Sequence, residues 1–462
     1  MKENDPMDKV SIENTVEKIK IPALAIAIIL FFIVLNVPLF ENQQAQKALA
    51  LLVIVAVLWM TEAIPLALTG LMIPVMAALL HLIPASEAFG EFAHPIIFLF
   101  MGGFVIAGAL TRHGLDKLLA QKLITLARGN FYKSAILLML ATSLTACWVS
   151  NTAATAMMIP LGLGLLALVR KDAVTAESKF LILGIAYSAN IGGVITMIAS
   201  PPNAIGAAIL RLTFSTWIMY ALPVFVITFP VMILLLTLYF KPDKKMDIAQ
   251  VMVKKDKSTP NMTLVAIFIF TVTLWILDSV LAPLLKISDS FNSLVAIAAI
   301  FLIFITRVLK WKEIIKAIKW DVLLLFGGGL TLGMLIDRSG LGVILVGHVA
   351  QLITILPLFL FLWIIVLFSI VMTEFMSNTA SAALILPLLF TLSNQLNVNP
   401  MILVFPATIA ASYGFMLPAG TPPNAMAFAS GLIPQKDMMK IGLVLNIIFS
   451  IILTVFFYLI FK

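Results

Sequence analysis

Charge is what this sequence has least of. Only 11% of its 462 residues are Asp, Glu, Lys or Arg, less than half the roughly 25% of a soluble domain. That cannot cover the water-facing surface of so long a chain, so a large soluble catalytic module is excluded. Cysteine occurs once, as Cys147 inside an apolar stretch, so no intrachain disulfide and no thiolate cluster can form. The four histidines, at 81, 94, 113 and 348, lie near the ends of apolar runs or in loops. Deep acids reduce to Glu374, with Glu62, Asp278 and Asp321 at run ends. No metal-ligand cluster, nucleophile with base or Gly-rich phosphate loop occurs at depth, and the chain does not read as an enzyme.

Apolar residues fill the space instead. They make up 62% of the chain, with a mean hydropathy of +1.11, so the solvent for most of the protein is lipid. At about 20 residues per spanning helix, eleven runs qualify: 21–40, 47–61, 64–84, 95–111, 180–211, 217–240, 261–283, 291–306, 321–336, 402–430 and 438–461. Two further regions, 134–169 and 354–392, are too long for one helix, and the same tripeptide, Ser-Asn-Thr, interrupts each. Polar, non-helical backbone survives at membrane depth only where protein or a water-filled cavity surrounds it, so both regions read as re-entrant hairpins. The expected fold is an all-α polytopic membrane protein of about 11 transmembrane helices plus two re-entrant hairpins.

Lys and Arg outnumber Asp and Glu by 30 to 22. A nucleic-acid surface would cluster that excess on one folded face; membrane topology explains it better. With a cytoplasmic N-terminus and alternating spans, the predicted cytoplasmic loops carry 25 of the 30 basic residues, as the positive-inside rule requires. Residues 1–20 hold nine charges and no small-residue cleavage site follows the first run, so the start reads as a cytoplasmic tail and not a signal peptide. The C-terminus falls outside, and the protein is expected in the inner (plasma) membrane. The first hairpin enters from the cytoplasm and the second from outside.

The halves of the chain repeat one another. Phe100-Met101-Gly102-Gly103 matches Phe326-Gly327-Gly328-Gly329, Ser150-Asn151-Thr152-Ala153 matches Ser377-Asn378-Thr379-Ala380, and Ser200-Pro201-Pro202-Asn203-Ala204 matches Thr421-Pro422-Pro423-Asn424-Ala425. Three ordered matches at nearly constant offset, in elements of opposite orientation, mark an inverted-topology repeat. Secondary transporters built this way bind their substrate near the bilayer midplane, where the repeats meet.

Each tripeptide supplies N-cap residues ahead of a new apolar helix, so each hairpin tip is a helix N-terminus. Such an end presents free N–H groups and partial positive charge, which suits a carboxylate or phosphate. The Pro-Pro motifs break their helices, since proline has no N–H and clashes with the preceding turn; Ser200 and Thr421 stand as caps of the new helices. The unwound turns, Gly192-Gly193 to Ala199 and Gly414 to Gly420, free carbonyl oxygens that a hard cation would satisfy. Proton-coupled carriers need ionisable groups at depth; neutral oxygens point to sodium. Glu374, four residues before Asn378, is open to two readings: tuning a cation site, or pairing at a helix edge.

At these residues, together with Trp59-Met60-Thr61-Glu62-Ala63-Ile64-Pro65, the chain resembles the divalent-anion/sodium symporter family, specifically the bacterial INDY-type sodium-coupled dicarboxylate transporters. The resemblance implies symport of C4-dicarboxylates of the succinate, malate and fumarate class with Na+, no organic cofactor, and a homodimer in the lipid bilayer with a site in each protomer. It also implies an elevator: transport parts 134–240 and 351–462 moving against scaffold parts 21–133 and 258–350, after the tail 1–20. Asn151, Thr152, Asn378 and Thr379 would contact the substrate carboxylates, bordered by Ser200, Pro201, Thr421 and Pro422. Ser150 and Asn151 with a carbonyl near Ala199 would form one sodium site, and Thr373 and Asn378 with a carbonyl near Gly420 the other. One position departs from the pattern. Ala146 stands where many relatives have Ser, as Thr373 does in the second half, and Thr145, water or backbone must replace that ligand. An exchanger of the same fold, a citrate or sulfate symporter, and a channel are the alternatives.

Overall fold

The computed structural model describes residues 19–461 apart from 116–117, 120–121, 123–125, 128, 169–173, 247–259, 288–289, 346 and 348–355. Most of the predicted tail, much of the loop 241–260, His348 and the domain limits at 258, 350 and 351 therefore lie outside the described residues. Every regular element described is helical: α1 Ile21–Asn36, α2 Gln43–Thr61, α3 Leu66–Leu79, α4 Ala85–Gly90, α5 Pro95–Arg112, α6 Phe131–Ala146, α7 Asn151–Ala167, α8 Ala176–Gly192, α9 Pro201–Ile209 and α10 Phe214–Phe240. The second half supplies α11 Met262–Ile276, α12 Asp278–Leu284, α13 Phe291–Ile305, α14 Trp311–Ala317, α15 Trp320–Arg338, α16 Leu358–Phe375, α17 Asn378–Gln395, α18 Pro400–Ala410, α19 Pro422–Ala429 and α20 Gln435–Phe461.

Helix starts follow the local chemistry. Asn42, Asn130, Ser150, Thr213, Asn261, Ser377, Asn399 and Thr421 each accept a hydrogen bond from a first-turn N–H, as N-caps do. Proline opens α5, α9, α18 and α19. Both long interrupted regions fold as helical hairpins, α6–α7 and α16–α17, and both Pro-Pro runs fold as broken helices, α8/α9 and α18/α19.

Among the described residues, length and composition qualify six helices as membrane spans, or seven if the bent pair α11/α12 is one span. This is fewer than the eleven runs. Several runs contain helices of only 10–17 residues, among them α1, α3 and α13, and at 1.5 Å per residue these fall short of a roughly 30 Å hydrocarbon core. Conversely, α16 is a hairpin arm and yet long enough to cross. The run 261–283 was read as one span, but it bends by 77° between α11 and α12. The bend falls where Asp278 turns inward: its buried carboxylate accepts hydrogen bonds from the Ser215 amide at 3.2 Å, the Ser215 hydroxyl and the Asn292 amide at 2.9 Å.

The duplicated glycines serve close helix crossings. A Cβ on Gly328 of α15 would lie 2.5 Å from the Gly70 Cα of α3, and one on Gly102 of α5 would lie 2.6 Å from the Ala296 Cβ of α13. Ala296 follows Gly70 by the same 226 positions by which Gly328 follows Gly102, so the two crossings are copies. Small residues at such contacts let helix backbones pack in lipid, where hydrophobic driving force between helices is absent.

The remaining helices interlock the repeats. α7 packs against α6 and α8 of its own half and also against α19 of the other; α17 packs against α16 and α18 and also against α9. Each hairpin is thus completed by the short second half of the opposite broken helix.

Candidate functional site

Because of that exchange, the N-termini of α7, α17, α9 and α19 meet at one place. A cavity of about 960 Å³ lies there, lined by Ser150, Asn151, Thr152, Ala199, Ser200, Pro201, Ser377, Asn378, Thr379, Gly420, Thr421 and Pro422. All the substrate residues expected from the sequence reach this cavity. So do the sodium-site residues except Thr373, which lies behind it in α16, fully buried. Lys20, Glu62, Lys319 and Asp321 also border the cavity, and motif reading had not placed them there.

The tips have the expected caps. Ser150 accepts from the Ala153 N–H at 3.3 Å and Ser377 from the Ala380 N–H at 3.2 Å, leaving Asn and Thr in the first turn of each helix. Thr421 likewise accepts from the Asn424 N–H at 3.2 Å. Ser200 does not act as a cap: it makes no side-chain cap bond, and its buried hydroxyl has no hydrogen-bond partner among the described residues.

The unwound turns are held differently from the sequence expectation. The Asn203 amide donates to the carbonyls of Gly193 and Thr196, both at 2.8 Å. The Asn424 amide donates to Gly414 at 2.8 Å and Leu417 at 3.1 Å, the same ten and seven residues back. Two of the freed carbonyls in each turn are therefore satisfied by a side chain, not left for a cation. Asn203 and Asn424 belong to the quoted motifs but had no role there; each is the third residue of the helix that follows the break. Asn190 ties the halves together, donating to the Thr421 hydroxyl at 3.0 Å and the Asn424 Oδ1 at 3.3 Å. The Ala199 and Gly420 carbonyls accept no hydrogen bond from a described residue.

The two tips differ in one respect. Thr373 Oγ1 lies 2.8 Å from the Asn378 Oδ1 and 2.7 Å from the Ala411 carbonyl; it has one proton, and so can donate to only one of these oxygens at a time. At the first tip the equivalent residue is Ala146, and the buried Asn151 Oδ1 has no partner among the described residues; nor has the buried Thr145 Oγ1. A buried polar atom left unpaired costs about 1–3 kcal/mol, so these oxygens fit a site completed by a ligand. The substitution Ala146→Ser would supply the missing hydroxyl. We expect it to tighten sodium-dependent ligand binding about five-fold, the worth of one ordinary hydrogen bond of ~1 kcal/mol. A sodium titration of substrate binding measures this, and an unchanged or weaker midpoint would count against the role of that position.

Glu374 binds the second unwound turn. Nearly fully buried, it accepts from the Met416 N–H at 2.8 Å, the Leu417 N–H at 2.9 Å and the Asn446 amide at 2.7 Å. It holds N–H groups of the second unwound turn whose carbonyls Asn424 holds.

Comparison with known proteins agrees with this architecture. A family model described as "Citrate transporter" matches residues 56–405. An uncharacterized transporter of Haemophilus influenzae is 41% identical over 433 residues, covering 92% of this chain and 94% of the relative. The sodium-dependent dicarboxylate transporter SdcS of Staphylococcus saprophyticus is 33% identical over 443 residues, covering 88% of this chain and 85% of the relative. The crystal structure of the Alcanivorax borkumensis YdaH transporter shares the fold with a TM-score of 0.54 at 15% identity, covering 80% of this chain and 87% of that one. The chain is a multi-pass inner-membrane transporter and not an enzyme; it belongs to the citrate transporter family, among the divalent-anion/sodium symporters that its duplicated motifs resemble.

Proposed function

We propose that the protein is a sodium-coupled symporter of C4-dicarboxylates, with the succinate, malate and fumarate class as substrate and Na+ as co-transported ion. One observation carries the reading: two hairpin tips and two broken-helix starts meet on one cavity with neutral donors facing it. Two carboxylates suit two tips, one at each helix N-terminus. Asn151 and Thr152 would hold one and Asn378 and Thr379 the other, beside Ser200, Pro201, Thr421 and Pro422. Sodium would sit behind each tip, on Ser150, Asn151 and the Ala199 carbonyl, and on Thr373, Asn378 and the Gly420 carbonyl. In support, those carbonyls accept no hydrogen bond from a described residue, and Thr373, Asn378 and Ala411 bring three oxygens together around one hydroxyl proton.

The topology we propose is eleven crossings and two re-entrant hairpins, N-terminus inside and C-terminus outside, as a homodimer. Parts 134–240 and 351–462 move as an elevator against 21–133 and 258–350. The interlocked packing of α6–α10 with α16–α20 supports the first grouping. Lys20, Glu62, Lys319 and Asp321 at the cavity belong to the end read as cytoplasmic, so this conformation opens inward.

Uptake of succinate into empty proteoliposomes under an imposed sodium gradient tests the coupling. Uptake only into vesicles preloaded with dicarboxylate, indifferent to sodium, would make the protein an exchanger. In the same preparation Asn378→Ala should weaken succinate binding ten-fold to over a hundred-fold, because one hydrogen bond to a charged group is worth about 1.5–3 kcal/mol. Unchanged affinity at saturating sodium would remove the second tip from the site.

A further inference from the structure

The hairpin tips offer neutral donors, whereas a C4-dicarboxylate carries two negative charges at neutral pH because carboxyl pKa values lie near 4. Charge at the cavity wall therefore matters. Of the ionised side chains there, Lys20 and Glu62 also border a smaller side cavity with Pro65 and Leu66, and the Lys20 ammonium donates to the Thr61 carbonyl at 2.7 Å. Lys319 is placed otherwise. Besides the main cavity it borders an adjoining one of about 340 Å³, and Ser150 of the first tip and Ala199 of the first unwound turn line both. Among the described residues the one other cation on that second cavity is Arg112, which is paired with Glu313 at 3.0 Å. The Lys319 ammonium makes no ion pair and no side-chain hydrogen bond among the described residues. Its contact is the face of Phe104, 5.8 Å from the ring centroid; burial pushes its pKa below the usual lysine value, while Asp321, beyond ion-pair distance, attracts it through space and opposes that shift.

We propose that Lys319 is a charge-selecting contact for the transported anion: beside the first hairpin tip, its ammonium pairs with negative charge that the neutral tip donors leave uncompensated. This rests on the anion-carrying reading above. An ammonium with three donors and no protein acceptor is available to a carboxylate, and the aromatic face beneath it holds it at the wall without neutralising it. Lys319 precedes α15 and is not part of a hairpin, so the contact exists only while the first tip and the start of α15 face the same cavity. The protein thereby favours anions of two or more charges, and it does so in this conformation.

Equilibrium binding to the purified full-length protein in nanodiscs, at saturating sodium, tests this with succinate and its monomethyl ester as probes. Lys319→Gln should weaken succinate about five- to twenty-fold and the monoester less than about two-fold, with Lys319→Arg near native, as expected for loss of one partly screened charge pair. In the native protein the preference for succinate should also shrink as choline chloride rises, through screening; this arm needs no variant and holds if Lys319→Gln fails to fold. Equal losses for both probes, no loss for either, or a preference insensitive to choline chloride would overturn the proposal. If Asn378→Ala still costs succinate its ten-fold, the carrier reading survives that result. If the native protein binds no succinate at saturating sodium, the dicarboxylate reading itself fails, and this inference with it.

Discussion

Replacing Asn424 with Leu should cost at least about thirty-fold in sodium-dependent succinate binding while leaving the hairpin tip chemically intact. Asn424 is fully buried and does not belong to the tripeptide. Its amide holds the Gly414 and Leu417 carbonyls, and its Oδ1 accepts from Asn190 of the other half. Leu leaves two buried carbonyls without donors, at about 1–3 kcal/mol each, and the turn relieves that cost by moving. The Gly420 carbonyl sits in this turn, so the ligand proposed for sodium moves with it. About 2 kcal/mol reaching the site corresponds to the stated loss. The measurement is a sodium titration at fixed succinate, with Asn203→Leu as its counterpart in the first repeat. A native sodium midpoint in both variants would show that the turns hold their shape without these amides.

Glu374→Ala should be the most destabilising single change at the site. It strands the Met416 and Leu417 amides and the Asn446 side chain. A buried donor left without its acceptor costs about 1–3 kcal/mol, so three stranded donors correspond to about 3–5 kcal/mol once the turn has relaxed part of the cost. We expect a loss in that range, read as a large drop in the thermal unfolding midpoint in detergent. Glu374→Gln keeps an acceptor for part of the cluster and should lose less. An Ala variant that melts with the native protein would mean that the unwound turn does not depend on this carboxylate.

The parts of the site that rest on local chemistry were legible in the sequence. Ser ahead of an apolar run is an N-cap, and the tripeptides do start α7 and α17; a Pro pair inside an apolar run breaks the helix, and α8/α9 and α18/α19 are broken there. Contacts that close only in three dimensions were not legible. Asn190 and Thr421 are 231 positions apart, and no periodicity announces their bond. Lys319 was counted as one more basic loop residue, which is correct for its position in the chain and silent about the cavity it borders. Asp278 was placed at a run end, whereas its bonds to Ser215 and Asn292 coincide with a bend that no proline marks. The freed carbonyls were recognised from the prolines, but the amide that satisfies them is visible only once the turn is folded.

The exchange of short helices between the repeats also bears on how the chain is made. α7 ends at Ala167, and α19, which packs on it, begins at Pro422, some 250 residues later. At about 5–20 residues per second of synthesis, the first hairpin waits roughly ten to fifty seconds for its last packing partner. During that interval its polar tip lies in or beside the bilayer without the wall that will enclose it, where unsatisfied backbone is costly. In the proposed topology residues 150–153 therefore stay without that wall until the second broken helix has emerged. The first half of the gene encodes a hairpin whose native surroundings do not yet exist when it leaves the ribosome.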